Sequence, residues 1–69
     1  MCEANVYLQT DDGKTNLFLD AVDTIIPQED GKLYLENIYG ERKTILAEIK
    51  RMELVEHNIY LKPTHSETL

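Results

Sequence analysis

Cysteine occurs once in the 69 residues, so no internal disulfide can brace the fold. Basic residues are scarce as well: seven Lys and Arg stand against thirteen Asp and Glu, a net charge of −6. That balance argues against nucleic-acid binding, because nonspecific affinity for phosphate rests on clustered Lys and Arg. The three glycines are dispersed through turns, so no phosphate-cradling loop is present. No apolar run is long enough to span a bilayer. The start lacks the basic stretch and apolar run of a signal peptide, which predicts a cytoplasmic protein with no membrane association. There is no internal repeat, linker or low-complexity tract. What remains is the composition of one small folded domain, 42% hydrophobic and 29% charged. A chain this short buries only about 60% of the surface its unfolded form exposes, so support from a partner, a metal or self-association is expected.

Turn signals recur at short intervals: Asp11-Asp12-Gly13-Lys14, Glu29-Asp30-Gly31-Lys32, Tyr39-Gly40-Glu41-Arg42 and Glu56-His57-Asn58. Asp-Gly pairs favour tight hairpins, where glycine accepts positive φ without a clash. Between the turns, apolar residues mostly recur at period two. Cys2, Ala4, Val6 and Leu8 alternate with Glu3, Asn5, Tyr7 and Gln9. Leu17 and Leu19 open a second run that continues through Val22, Ile25 and Ile26 to Pro27. Leu33 with Leu35, and Ile59 with Leu61, mark two more. Such alternation sets one face on a core and the other in water.

Residues 44–55 fit two periods. Ile45, Ala47 and Ile49 alternate as a strand and Met52 with Leu54 resume out of phase, yet Ile45, Ile49 and Met52 also share a helical face. A bent strand with a bulge near Lys50-Arg51 is preferred, because it pairs naturally with Ile59 to Leu61 across the turn at Glu56 to Asn58. The sum is an all-β, five-stranded antiparallel barrel of the SH3/Sm-like kind. Its strands fall near residues 2–9, 15–26, 32–38, 43–54 and 58–62, the second bending near Asp20 or Asp23. Residues 1–62 form the domain and 63–69 a polar, flexible tail.

Cys2 is the most informative residue. Its alternation with Ala4 and Val6 permits a plain reading as a small core hydrophobe. Its place beside the chain start permits another. A thiolate there, with a terminal amine and a deprotonated amide, forms small chelate rings suited to Ni(II) or Cu(II). With Met1 retained, the donors are the Met1 amine, the Cys2 amide nitrogen and the Cys2 sulfur; with Met1 removed, they are the Cys2 amine and sulfur. One arm leaves a four-coordinate ion incomplete, so donor counting points to a homodimer sharing one metal across a twofold axis. His57 and His65 are the other metal candidates, but an exposed polar residue is the default reading of the first, in a turn, and a disordered one that of the second, in the tail. Neither forms a spacing that closes a structural zinc site.

Catalysis has little support. A Cys–His nucleophile requires Cys2 and His57 to meet in space, and the carboxylates fall where a solvated face would put them. RNA or protein recognition through an aromatic face is the alternative, with Tyr7, Tyr34, Tyr39 and Tyr60 as stacking candidates and Arg42-Lys43 and Lys50-Arg51 as basic pairs.

Several stretches together resemble one family. The start Met1-Cys2-Glu3-Ala4-Asn5-Val6-Tyr7-Leu8 is similar to that of CooT proteins, small nickel-binding accessory factors of carbon monoxide dehydrogenase maturation. The likeness continues through Val22 to Ile26, Leu33 to Lys43 and Met52 to Ile59. It implies a dimeric small β-barrel, not an enzyme, in which Cys2 is the key Ni(II) ligand near the dimer interface. The implied partners are a second copy and an apo nickel enzyme such as carbon monoxide dehydrogenase. No family motif extends a metal role to His57 or His65.

Overall fold

Period-two spacing produces five strands, β1 Ala4–Gln9, β2 Thr15–Pro27, β3 Lys32–Asn37, β4 Arg42–Glu53 and β5 Asn58–Pro63. The computed structural model describes residues 2–64, and no helix occurs among them. Met1 and residues 65–69, including His65 and most of the expected tail, lie outside the described residues. The strands follow the expected segments to within two residues. β1 starts at Ala4, leaving Cys2 outside the ladder, and β5 runs on to Pro63, with the Thr64 N–H donating to the Leu46 carbonyl at 3.0 Å.

The sheet closes on itself in the order β1-β2-β3-β4-β5. Four neighbouring pairs are antiparallel, as alternation and short turns require. The closing seam is not: β1 pairs with β5 in parallel, Val6 opposite Ile59 and Leu8 opposite Leu61. An odd number of up-and-down strands brings the first and last into the same direction, so a five-stranded meander closes only this way. Closure also removes the exposed edges that a small sheet would otherwise present.

Residues 44–55 resolve as strand through Glu53, and the bulge sits where the phase slips. Ile49 pairs with Leu61 and Arg51 with Tyr60, so Lys50 is the extra residue. The bend in β2 is sharper than alternation shows. Its register against β1 slips between Val6 and Tyr7 and again between Ala4 and Val6, and against β3 it slips at Asp23. Ala21, between the two aspartates expected to mark the bend, has φ of 51°.

Four turns share one plan: the N–H of the fourth residue donates to the carbonyl of the first. The pairs are Gly13 to Thr10, Gly31 to Gln28, Gly40 to Asn37 and His57 to Leu54. In the first, the Thr10 hydroxyl and then the Lys14 N–H donate to the Asp12 carboxylate, holding that carboxyl below its ordinary range.

The core gathers Val6, Leu19, Val22, Leu33, Leu35, Ala47, Ile59 and Leu61. Asn37 is a buried polar residue beside it, 2% exposed. Its Oδ1 accepts the N–H groups of Tyr39 at 3.1 Å and Glu41 at 2.9 Å, while its Nδ2 donates to the Glu41 carboxylate at 2.7 Å. Replacing Asn37 by alanine strands two main-chain donors at the edge of the core and is expected to lower stability by about 2 kcal/mol. Urea unfolding checks this; a loss under about 0.5 kcal/mol would show that water replaces the side chain at no net cost.

Candidate functional site

One end of the closed sheet brings together the start of β1, the bend of β2 and the β4–β5 turn. Asn5 ties the three. Its main-chain N–H donates to the His57 carbonyl at 2.8 Å, and its Oδ1 accepts the Ala21 N–H at 3.2 Å. Register does the rest, with Ala4 opposite Val22 on one side and Asn5 opposite Asn58 on the other.

The three segments enclose a cleft of about 390 Å³. Val22 and Ile59, both buried, and the half-buried Ala4 and Ile25 give it an apolar lining. Cys2 and His57 line the same cleft, with Glu3 and Asp23. Alternation alone would carry Cys2 into the core, but the ladder starts two residues later and Cys2 is exposed. His57 is exposed too.

The residues that had to meet for a Cys–His reading line one cleft. Among the described residues, neither the thiol nor the imidazole has a hydrogen-bond or ion-pair partner. No base is aimed at the nucleophile and no third group orients the imidazole.

Side chains alone do not make a chelate here. Among the described residues, no three of His, Cys, Asp and Glu converge closely enough to hold an ion. A metal at Cys2 would need donors beyond these side chains. A cysteine sulfur is a donor that suits a borderline-soft divalent ion. Met1, the other proposed ligand residue, lies outside the described residues.

The aromatic and basic candidates lie elsewhere, and three of them, Tyr7, Tyr60 and Arg51, are engaged with one another. Tyr7 and Tyr60 stack across the parallel seam, ring centroids 5.5 Å apart, and the Arg51 guanidinium sits 4.8 Å from the Tyr60 centroid. Arg51 also pairs with Glu53 at 3.2 Å, and Lys43 lies 4.7 Å over the Phe18 ring. Tyr34 is half-buried, with its hydroxyl donating to Glu36 at 3.2 Å, whereas Tyr39 is 71% exposed in a turn.

The model of a family described as CO dehydrogenase accessory protein CooT matches residues 1–62. Among solved structures, the chain is similar to the crystal structure of a protein designated CooT from Carboxydothermus hydrogenoformans, at 52% identity and a TM-score of 0.84. That match covers 93% of this chain and 100% of the other. No curated protein is significantly similar.

Proposed function

The chain belongs to the CooT family of CO dehydrogenase accessory proteins, and from that premise we propose that it is a non-catalytic carrier of Ni(II). In this reading the ion is cargo, handed to an apo-enzyme such as carbon monoxide dehydrogenase. It is held by the Cys2 thiolate and nitrogens of the chain start, from Met1 and Cys2, and shared between two copies of the chain in a small-barrel homodimer. The observation that carries the reading is the exposed Cys2 thiol at a cleft with acidic residues on its lining. A carrier needs a site that opens to its client, and a thiol beside the chain start, outside the ladder, is accessible and exchangeable. A thiol has to lose its proton to ligate, so affinity should fall as the solution is acidified. The reading places the protein in the cytoplasm, where thiols stay reduced. The net charge of −6 favours capture of a cation and approach to a basic client surface.

Native mass spectrometry of the nickel-loaded full chain tests the assembly. The expected spectrum holds a dimer carrying one nickel for two chains. A spectrum of metal-free monomer across the titration would overturn the carrier reading, and a monomer holding its own nickel would remove the shared site.

A further inference from the structure

A closed sheet has no free edge only where each strand keeps a neighbour on both sides along its whole length, and two strands here outrun theirs. β4 pairs with β3 through Arg42 to Leu46 and with β5 from Ala47 onward, so residues 48–53 have a strand on one side only. β2 pairs with β1 up to Val22 and with β3 from there to Pro27, which leaves residues 23–27 open on the β1 side. Cys2 and Glu3, which would continue β1 along that stretch, are outside the ladder. The two stretches differ in kind. The first carries Glu48, Lys50, Arg51 and Glu53 and the bulge at Lys50, the charges and kink by which proteins keep an edge from pairing. The second, Asp23-Thr24-Ile25-Ile26-Pro27, has one charge, and its three middle residues are β-branched, as strands favour.

The hairpin after β2 fixes which main-chain groups this second edge presents. The Gln28 N–H donates to the Lys32 carbonyl at 2.8 Å, and bonded residues alternate along an antiparallel ladder. Ile26 and Thr24, opposite Tyr34 and Glu36, therefore turn their N–H and C=O groups toward β3. Ile25 turns both of its own to the open side, where no main-chain partner meets them among the described residues. Beside this edge lies the cleft of about 390 Å³, lined by Thr24 and Ile25 and, across from them in sequence, by Leu54 and Ile59. Glu3 and Asp23 line it too, and no Lys or Arg does. On the face opposite Ile25, Ile26 is 50% exposed.

We propose that the Ile25 edge of β2 docks an extended segment of a partner protein as an added strand, a segment with β-branched apolar residues and a lysine or arginine at its end. The Ile25 N–H and C=O supply the pairing, the cleft takes a side chain, and the acidic lining meets the basic residue. Charge selects the occupant. A second copy would set Glu3 and Asp23 against residues of the same sign, whereas a basic segment neutralises them. The edge is main chain and its occupation requires no metal, so it goes beyond the nickel reading and can fail without it.

The test uses the metal-free, isotope-labelled full chain and two blocked peptides of alternating valine and threonine, one flanked by lysine and one by glutamate. With the lysine-flanked peptide, the resonances of residues 23–27 should shift and the Ile25 amide should exchange at least ~tenfold more slowly. The glutamate-flanked peptide should bind at least ~fivefold more weakly at low salt, the scale of surface charge pairs, and the gap should narrow as salt is raised. Methylating the peptide's main-chain nitrogens should abolish binding, which separates strand addition from the filling of an apolar cleft. Asp23 is exposed, so Asp23→Lys should melt as wild type does and lose the preference for the lysine-flanked peptide. Shifts centred on Tyr7 and Tyr60, or none at Ile25 up to about millimolar peptide, would overturn the proposal. So would an Ile25 amide that is protected in the free chain and more so at higher protein concentration, since the edge would then belong to a second copy.

Discussion

Exchanging the Cys2 sulfur for oxygen should cost this protein its nickel while leaving its fold untouched. In Cys2→Ser the thiolate-to-nickel absorption is expected to vanish and affinity to fall by at least ~100-fold, beyond the loss typical of changing a group that only supports a ligand. The serine hydroxyl stays protonated near neutral pH and is a poor donor to a borderline-soft ion. The thermal midpoint should stay put, because Cys2 is exposed and outside every strand, where substitutions usually change stability by less than about 0.5 kcal/mol. A buried core cysteine would give the reverse pattern, with stability lost and metal binding indifferent. Titration with nickel chloride beside a thermal melt separates the two. Unchanged affinity in the serine variant would refute a sulfur site.

Much of the site is legible in the sequence as chemistry and little of it as geometry. Cys2 stands out because a thiol beside the chain start can join main-chain nitrogens in small chelate rings. Its alternation with Ala4 and Val6 still points it into the core, since a period-two pattern does not mark where the ladder begins. Pairing begins at Ala4, and that boundary exposes the thiol. His57 reads as an ordinary turn residue for a related reason. Fifty-five positions separate it from Cys2, and only the parallel closure of β1 on β5 brings them to one cleft. A signal is present in the turns: aligned on their shared hydrogen bond, three end in glycine and one in histidine.

The strands are legible because each hairpin is local. Asp-Gly pairs mark two of the turns, and the out-of-phase resumption at Met52 locates the extra residue at Lys50. The long β2 is harder. Its slips in register lie inside the strand, where no glycine or proline marks them, and each turns the residues beyond it to the opposite face. Leu17 and Leu19, two positions apart, should both face the core if alternation held throughout. A slip between Val6 and Tyr7 pairs Leu19 with the buried Val6 and Leu17 with the outward, stacked Tyr7. Leu19 is accordingly 4% exposed and Leu17 57%.

That reversal makes two leucine truncations a direct measure of where the core lies. Leu35 is fully enclosed, pairing with Ile25 within the sheet, so Leu35→Ala removes buried methyl groups and leaves a cavity. Such a change costs about 2–5 kcal/mol. At roughly 0.05–0.15 kcal/mol per residue, the whole domain has only about 3–10 kcal/mol to lose. The midpoint of Leu35→Ala should therefore fall by tens of degrees on the scale of about 4–8 °C per kcal/mol, or the variant should fail to fold at 37 °C. Leu17→Ala makes the same chemical change on an exposed face and is expected to cost less than about 1 kcal/mol. Comparable losses in both variants would mean that Leu17 is covered in solution, placing a second copy on the outer face of β1 and β2. Nickel adds a further separation. An ion that binds only the folded chain stabilises it by mass action, so saturating nickel should recover part of the Leu35→Ala loss in the presence of Cys2 and none of it with serine there.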